Sequence, residues 1–241
     1  MQLKIATLTT VLASLGAAQT LNIPTRVGSI VSLSKPSAIS GTQDMGNREF
    51  DRGRPCDTDE DTGSDNAVFI LADGATLSNA IIGKNQLEGV HCKGACKLIN
   101  VWFRDTLSPS LAKAIDLVQG GGAQAAVDKV IQHNGRGTVT IKDYTVVNAG
   151  KLYRGCGNCS NNGGPRNVII QNIKAKSVSE LAGINSNYGD VATISGSCGS
   201  SVKKTCQEYK GIEKNGGVDP KKLTTTANCR GAQGTSTLPK C

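Results

Sequence analysis

The sequence predicts an all-β, single-domain fold: a right-handed parallel β-helix (solenoid) with a disulfide-rich C-terminal tail. Three observations predict it. Short runs of β-forming residues recur with Asn or Asp at one repeated position, 29 of the 241 residues are glycine, and nine cysteines are spread along the chain. A coiled coil or helical bundle is excluded, because no long i, i+3, i+4, i+7 apolar stripe develops and so much glycine weakens helix interiors. A membrane-spanning protein is excluded as well, since no apolar run of about 18 residues occurs beyond the N-terminus. The formal charge is +8, from 27 Lys plus Arg against 19 Asp plus Glu. The basic residues are scattered, and three Phe, four Tyr and one Trp leave little for base stacking. The implied partner is therefore an acidic polysaccharide and not nucleic acid.

Residues 1–18, MQLKIATLTTVLASLGAA, have one charge at Lys4, an apolar stretch from Ile5 to Leu15 and small residues before Gln19. This pattern is that of a secretory signal peptide cleaved after Ala18, which leaves a charge of +7. Cysteine usage agrees with export to an oxidising compartment. Residues 19–195 are assigned to the β-helix. They open with a polar cap containing Pro24, Pro36, Pro55 and an acidic cluster from Asp57 to Asp65, followed by the entry strand AVFILADG.

The repeat follows in TLSNAIIG with Asn79, KLINVWF with Asn100, TIKDYTVV with Asp143 and VIIQNIKA with Asn172. The spacings are 21, 43 and 29 residues, that is one coil, about two coils, and one coil with a longer loop. Asn or Asp suits a stacked turn, because its short side chain bonds to backbone and tolerates a left-handed conformation. An antiparallel sandwich would need more hairpin signals than Asn134-Gly135, Asn162-Gly163 and Asn215-Gly216. After Ser195 the pattern fades, and residues 196–241 are expected to fold over the end of the solenoid. Cys198, Cys206, Cys229 and Cys241 would tie them down and cover an open strand edge.

Polar chemistry concentrates in QLEGVHCKGACKLINVW, VDKVIQHNGRG and GKLYRGCGNC. Cys92/Cys96 and Cys156/Cys159 have spacings seen at zinc sites, but with only His91 and His133 to complete a ligand set they read as secreted disulfides. Both histidines read as packing residues. No Gly-x-Ser-x-Gly elbow or phosphate-cradling loop is present. Asn158-Cys159-Ser160 matches a glycosylation acceptor.

Four blocks, GATLSNAIIGKNQLEGVHC, GGGAQAAVDKVIQHNGRGTV, GKLYRGCGNC and LAGINSNYGDVATIS, together resemble the small secreted microbial pectate lyases of polysaccharide lyase family 3. The likeness runs from about Gly28 to Thr205. It implies calcium-dependent β-elimination of polygalacturonate, the de-esterified pectin of plant cell walls, by a monomeric extracellular enzyme. By that resemblance Lys129 is the base, Arg154 the fixed cation for the substrate carboxylate and the developing enolate-like charge, and Lys151 a substrate-binding residue. Glu88 and Asp128 match calcium ligands, with Asp61 or Asp65 as further candidates. A lysine base at its ordinary pKa of about 10.4 would be protonated, so the reading requires that nearby positive charge or desolvation lower it. By itself a lysine beside an aspartate reads as a surface ion pair.

One stretch departs from the family. After a tryptophan-rich pair the family reads approximately Asp-Val-Cys-Glu-Asp-Ala, whereas this chain reads WFRDTLSPSLAKAIDLVQGGGA. The segment 106–117 thus puts Ser108 in place of an acidic calcium ligand and Pro109 in an expected coil. Either the stretch is a reading-frame or splice-boundary artefact, or the chain is a catalytically impaired paralogue that binds acidic cell-wall polysaccharide without cleaving it. The family cysteine falls at Leu107, which would explain the odd count of nine and predicts four disulfides and one free thiol near Leu107. A calcium-independent pectin lyase is disfavoured, because its site needs aromatic walls and Trp102 is the chain's one tryptophan.

Overall fold

The computed structural model describes residues 21–55, 63–104, 115–214 and 218–241. Its strands are β1 (Val31–Ser32), β2 (Ser37–Ile39), β3 (Thr42–Asp51), β4 (Ala67–Leu71), β5 (Ala75–Ile82), β6 (Glu88–Cys92), β7 (Cys96–Phe103) and β8 (Leu117–His133). They continue with β9 (Gly137–Lys142), β10 (Thr145–Gly155), β11 (Arg166–Gln171), β12 (Lys174–Asn185), β13 (Ala192–Ser195), β14 (Cys198–Lys210), β15 (Lys221–Lys222) and β16 (Cys229–Arg230). One sheet runs β1-β3-β5-β7-β8-β10-β12-β14-β15, with β9, β11, β13 and β16 branching from it, and β2-β4-β6 form a separate sheet. Pairing is parallel except between β14 and β15. This is the expected parallel β-helix.

The stacking logic is clearest inside. Leu77, Leu98, Val118, Ile141, Ile170 and Ile194 are register partners on successive strands. All are at most 2% exposed. Each such side chain gains roughly 1.5–3 kcal/mol from full burial, but only because the rungs above and below complete its surroundings. Two residues further along lies the first corner, where Asn79, Asn100, Asp143 and Asn172 have φ of 50°, 53°, 55° and 54°. Asn100 Nδ2 donates to Asn79 Oδ1 at 3.3 Å, and Asn172 Nδ2 to Asp143 Oδ1 at 3.2 Å. The predicted asparagine turns therefore exist, and they are bonded to one another. The 43-residue interval contains one more rung at Gly120, with φ of 63°. A Cβ there would stand 2.2 Å from Asn100 Oδ1, so this rung takes glycine.

A second corner was not visible in the sequence. It is formed by Ala125, Asn148, Ser177 and Ser201, with φ between 53° and 57°. Past it, the C-terminal parts of β8, β10, β12 and β14 make another face. The 29-residue coil finds its extra length in the loop between β10 and β11, which is closed by the Cys156–Cys159 disulfide.

The parallel ladder continues past Ser195, since β14 pairs with β12 from Cys198 to Tyr209. The apolar pattern weakens there because Ser200, Ser201, Lys203 and Lys204 of β14 are exposed, while buried Thr205, Gln207 and Glu208 are polar residues bonded to the tail. Cys198–Cys241 and Cys206–Cys229 tie the tail down, Gly199 N donates to Pro239 O at 2.8 Å, and Gln233 N donates to Ile194 O at 3.0 Å. Cys92–Cys96 is likewise a disulfide. The ninth cysteine, Cys56, and Leu107 lie outside the described residues, as do Met1 to Thr20 and most of the altered segment. That segment's end rejoins the ladder early: Asp116 N donates to Cys96 O at 3.0 Å, and Ile115 is in the core. No helix among the described residues is long and apolar enough to cross a membrane.

Candidate active site

On the face after the second corner, Lys129, Lys151 and Glu180 are register partners on β8, β10 and β12. Between Ala149 and Lys151 the register shifts, so that three steps of β8 (Ala126 to Lys129) face two of β10. The extra residue makes a β-bulge, a device that re-aims side chains beside functional sites. Gly150 permits it, because a Cβ there would lie 2.2 Å from Asp128 O. The bulge brings Asp128 between two cations: its carboxylate accepts from Lys129 Nζ and, at 3.0 Å, from Lys151 Nζ. Partial burial pushes the Asp128 carboxyl upward, but the charges and hydrogen bonds of Lys129 and Lys151 outweigh it and hold the group below its ordinary value. Asp128 is thus ionised at neutral pH.

Arg154 is 8% exposed and is held on three sides. Its Nη1 donates to Asn185 Oδ1 at 3.0 Å and Gly183 O at 3.4 Å, and its guanidinium carbon lies 4.1 Å from the Tyr209 ring centroid. Asn185 is itself fixed by Asp190 Oδ2, which accepts from the Asn185 backbone at 2.8 Å and side chain at 3.1 Å. No carboxylate among the described residues forms an ion pair with Arg154. The result is a rigid cation whose charge remains available to a ligand. Beside it, buried Glu180 accepts from the Tyr209 hydroxyl and from Lys222 Nζ, each at 2.7 Å. Burial, followed by the Glu180 hydrogen bond, pushes the Tyr209 phenol upward, which keeps its proton on the donor side.

Asp128, Lys129, Lys151, Arg154, Tyr209 and Lys222, together with Asp219, line a cleft of about 480 Å³. Of the residues anticipated from the sequence, Asp128, Lys129, Lys151 and Arg154 meet there. Glu88 does not line it: the residue sits on β6 in the three-stranded sheet, 1% exposed, with Oε2 3.1 Å from His91 Nε2. Asp65 is exposed in a short 3-10 turn, and Asp61 lies outside the described residues. No group of three or more His, Cys, Asp or Glu side chains suited to a metal ion forms among the described residues. The sequence reading missed Glu180, Tyr209, Lys222 and the role of Asn185. A signal for Glu180 did exist: it follows Lys151 by 29 residues, as Asn172 follows Asp143.

The cleft's makeup, a fixed arginine and two lysines around a carboxylate on a β-helix face, suits a polyanionic sugar. Comparison with known proteins points the same way. The pectate lyase family profile matches residues 20–216. A probable pectate lyase E of Neosartorya fischeri is 53% identical over 205 residues, covering 83% of this chain and 79% of that protein. Pectate lyase E of Emericella nidulans is 50% identical over 208 residues, covering 84% and 80%. Among solved structures, the catalytic domain of pectate lyase PelI from Erwinia chrysanthemi superposes with a TM-score of 0.71 at 31% identity, covering 86% of this chain and 99% of that one. PelI in complex with tetragalacturonic acid gives 0.67 at 32% identity, covering 84% and 69%. With a profile match over most of its length and relatives of this similarity, the chain belongs to the pectate lyase family and is a polysaccharide lyase.

Proposed function

We propose that the protein is a secreted, calcium-dependent pectate lyase that cleaves polygalacturonate by β-elimination, with Lys129 as the base. The observation that carries this reading is the convergence of Lys129, Lys151 and Arg154 on one cleft, with Arg154 rigid and, among the described residues, free of a carboxylate ion pair. Arg154 engages the uronate carboxylate and stabilises the negative charge that builds there as the C5 proton leaves. Lys129, as the free amine, takes that proton and becomes an ammonium; the C–H electron pair forms the C4–C5 double bond, and the C4–O bond breaks to release the preceding sugar. The departing oxygen takes a proton from solvent. Lys151 holds the chain in register through Asp128 and the substrate. Alkaline media favour the free-amine form of a lysine and so favour this reaction.

Calcium, when bound, withdraws charge from the uronate carboxylate and makes the C5 proton more acidic. The described donors alone do not complete such a site, since Glu88 contacts His91 away from the cleft and Asp128 is bonded to both Lys129 and Lys151. Among the described residues the carboxylates that line the cleft are Asp128 and Asp219, and these would hold the ion there.

A second reading rests on the altered segment 106–117, where an acidic ligand is replaced. In it the chain binds acidic cell-wall polysaccharide without cleaving it. One assay separates the two: ultraviolet absorbance of unsaturated product from polygalacturonate, with added calcium or with a chelator. The lyase reading expects product that disappears with chelator and returns with calcium. Retention on immobilised polygalacturonate with no product in any condition would establish the binding reading instead.

A further inference from the structure

The cleft has two walls of different origin. Lys129, Lys151 and Arg154 lie on the β-helix within the family match, whereas Asp219, Pro220 and Lys222 lie beyond Gly216, where that match ends. We propose that this second wall is a substrate subsite contributed by the tail, in which Lys222 receives a further carboxylate of the polyuronate and selects for its unesterified form. The proposal deepens the lyase reading and rests on it for the identity of the polymer.

The wall is built into place. Lys222 stands opposite Tyr209 in the β14–β15 pair, Leu223 N donates to Glu208 O at 2.9 Å, and Gln207 Nε2 donates to Leu223 O at 2.8 Å. Buried Glu208 also accepts from Asn228 N at 2.7 Å, next to the Cys206–Cys229 disulfide. On the cleft side Pro220 packs against Gly157, where a Cβ would come within 2.4 Å of Pro220 Cγ, so the disulfide-closed loop and the tail fit only with glycine there. The backbone beneath Lys222 is thus fixed while its side chain is 64% exposed.

Glu180 sets the direction of that side chain. Its carboxylate is 5% exposed, and Lys222 Nζ supplies its one ammonium contact among the described residues. An ammonium has three N–H donors in a fixed tripod. One serves Glu180, and the others remain for a carboxylate arriving from the cleft, so Lys222 binds substrate without abandoning the buried acid. A methyl ester at the same position carries no charge and gains nothing from the ammonium. Arg154 and Lys222 approach the same Tyr209 ring, at 4.1 and 5.9 Å from its centroid, so the ring links the two walls and the two cations serve as a pair for separate uronates.

The test compares the parent with Lys222→Met and Lys222→Arg, in turnover on polygalacturonate and on methyl-esterified pectin, and in calorimetric binding of saturated tetragalacturonate with chelator present. Lys222→Met should raise KM on polygalacturonate about three- to fivefold, exceed any change in kcat, and flatten the salt dependence, because the contact is a partly exposed ion pair. Lys222→Arg should retain most of the parent's affinity. On esterified pectin the parent and Lys222→Met should converge. An unchanged KM and salt slope in Lys222→Met, or an equal shift on both polymers, would overturn the subsite. If the parent forms no product the lyase reading fails instead, and the calorimetric difference between parent and Lys222→Met still decides the subsite.

Discussion

Two columns run up this β-helix, and they differ in what they repeat. At the first corner Asn79, Asn100, Gly120, Asp143 and Asn172 adopt one left-handed conformation, and the amides bond from rung to rung. On the cleft-side face Lys129, Lys151 and Glu180 occupy equivalent places but bond differently: the two lysines to Asp128, and Glu180 to Tyr209 and Lys222. Where each rung solves the same steric problem the residue type repeats. Where each rung serves different partners it does not.

The sharpest way to break this contrast is to exchange roles within the cleft column. Lys129→Ala should lower kcat by about 10²- to 10⁴-fold, the range for loss of a general base. Lys151→Ala, which removes a contact to the same Asp128 carboxylate, should act mainly on KM. A Lys129→Ala enzyme as active as the parent would sink the choice of base.

A second test concerns the packing behind the cleft. His133 is buried with Nδ1 2.9 Å from the Tyr153 hydroxyl; burial first, and then the Arg166 charge, bring its pKa down from 6.5 to about 4. Between those values the unfolded chain binds a proton that the folded chain refuses. Stability is therefore fully present above about pH 6.5 and falls as pH drops toward 4, by roughly 3 kcal/mol for this group. Urea midpoints at pH 7 and pH 4 should show the loss, and His133→Gln should show a smaller pH difference than the parent. Equal differences would remove His133 as the cause.

The smallest effect belongs to the structural column. Gly120→Ala should cost about 1–3 kcal/mol through its left-handed φ and the close Asn100 side chain. A Tm lower by roughly 2–4 °C for each kcal/mol is expected, with kcat/KM on polygalacturonate unchanged. A loss under about 1 °C would show that the corner makes no such demand.

The contrast also explains what the sequence disclosed. The first corner was legible because Asn and Asp are the residues that tolerate its φ, and Cys92–Cys96 and Cys156–Cys159 were legible as pairs of nearby cysteines, whereas the pairing of the four tail cysteines, across 43 and 23 residues, was not. The second corner was not, because Ala125, Asn148, Ser177 and Ser201 share a conformation but no chemistry. Lys129, Lys151, Arg154 and Asp128 stood out through family-like blocks. Glu180, Tyr209 and Lys222 come together only after β12, β14 and β15 are laid side by side, over separations of up to 42 residues. Glu88 shows the reverse: a motif drew attention to a carboxylate that folds away from the cleft, against His91.

The bulge at Asp128 and the rung-to-rung register have a consequence for how such a chain changes over time. Neighbouring strands are spaced about 4.8 Å apart whatever the length of the loops that join them. The interval between Lys129 and Lys151 is therefore set by hydrogen bonds and not by the number of residues between them. The coil holding Asp143 and Asn172 absorbs a long disulfide-closed loop, yet Lys151 and Glu180 on either side of it remain register partners. The scaffold behaves as a ruler with fixed divisions, so insertions at its corners reshape the rim of the cleft while the cations of the cleft keep their distances.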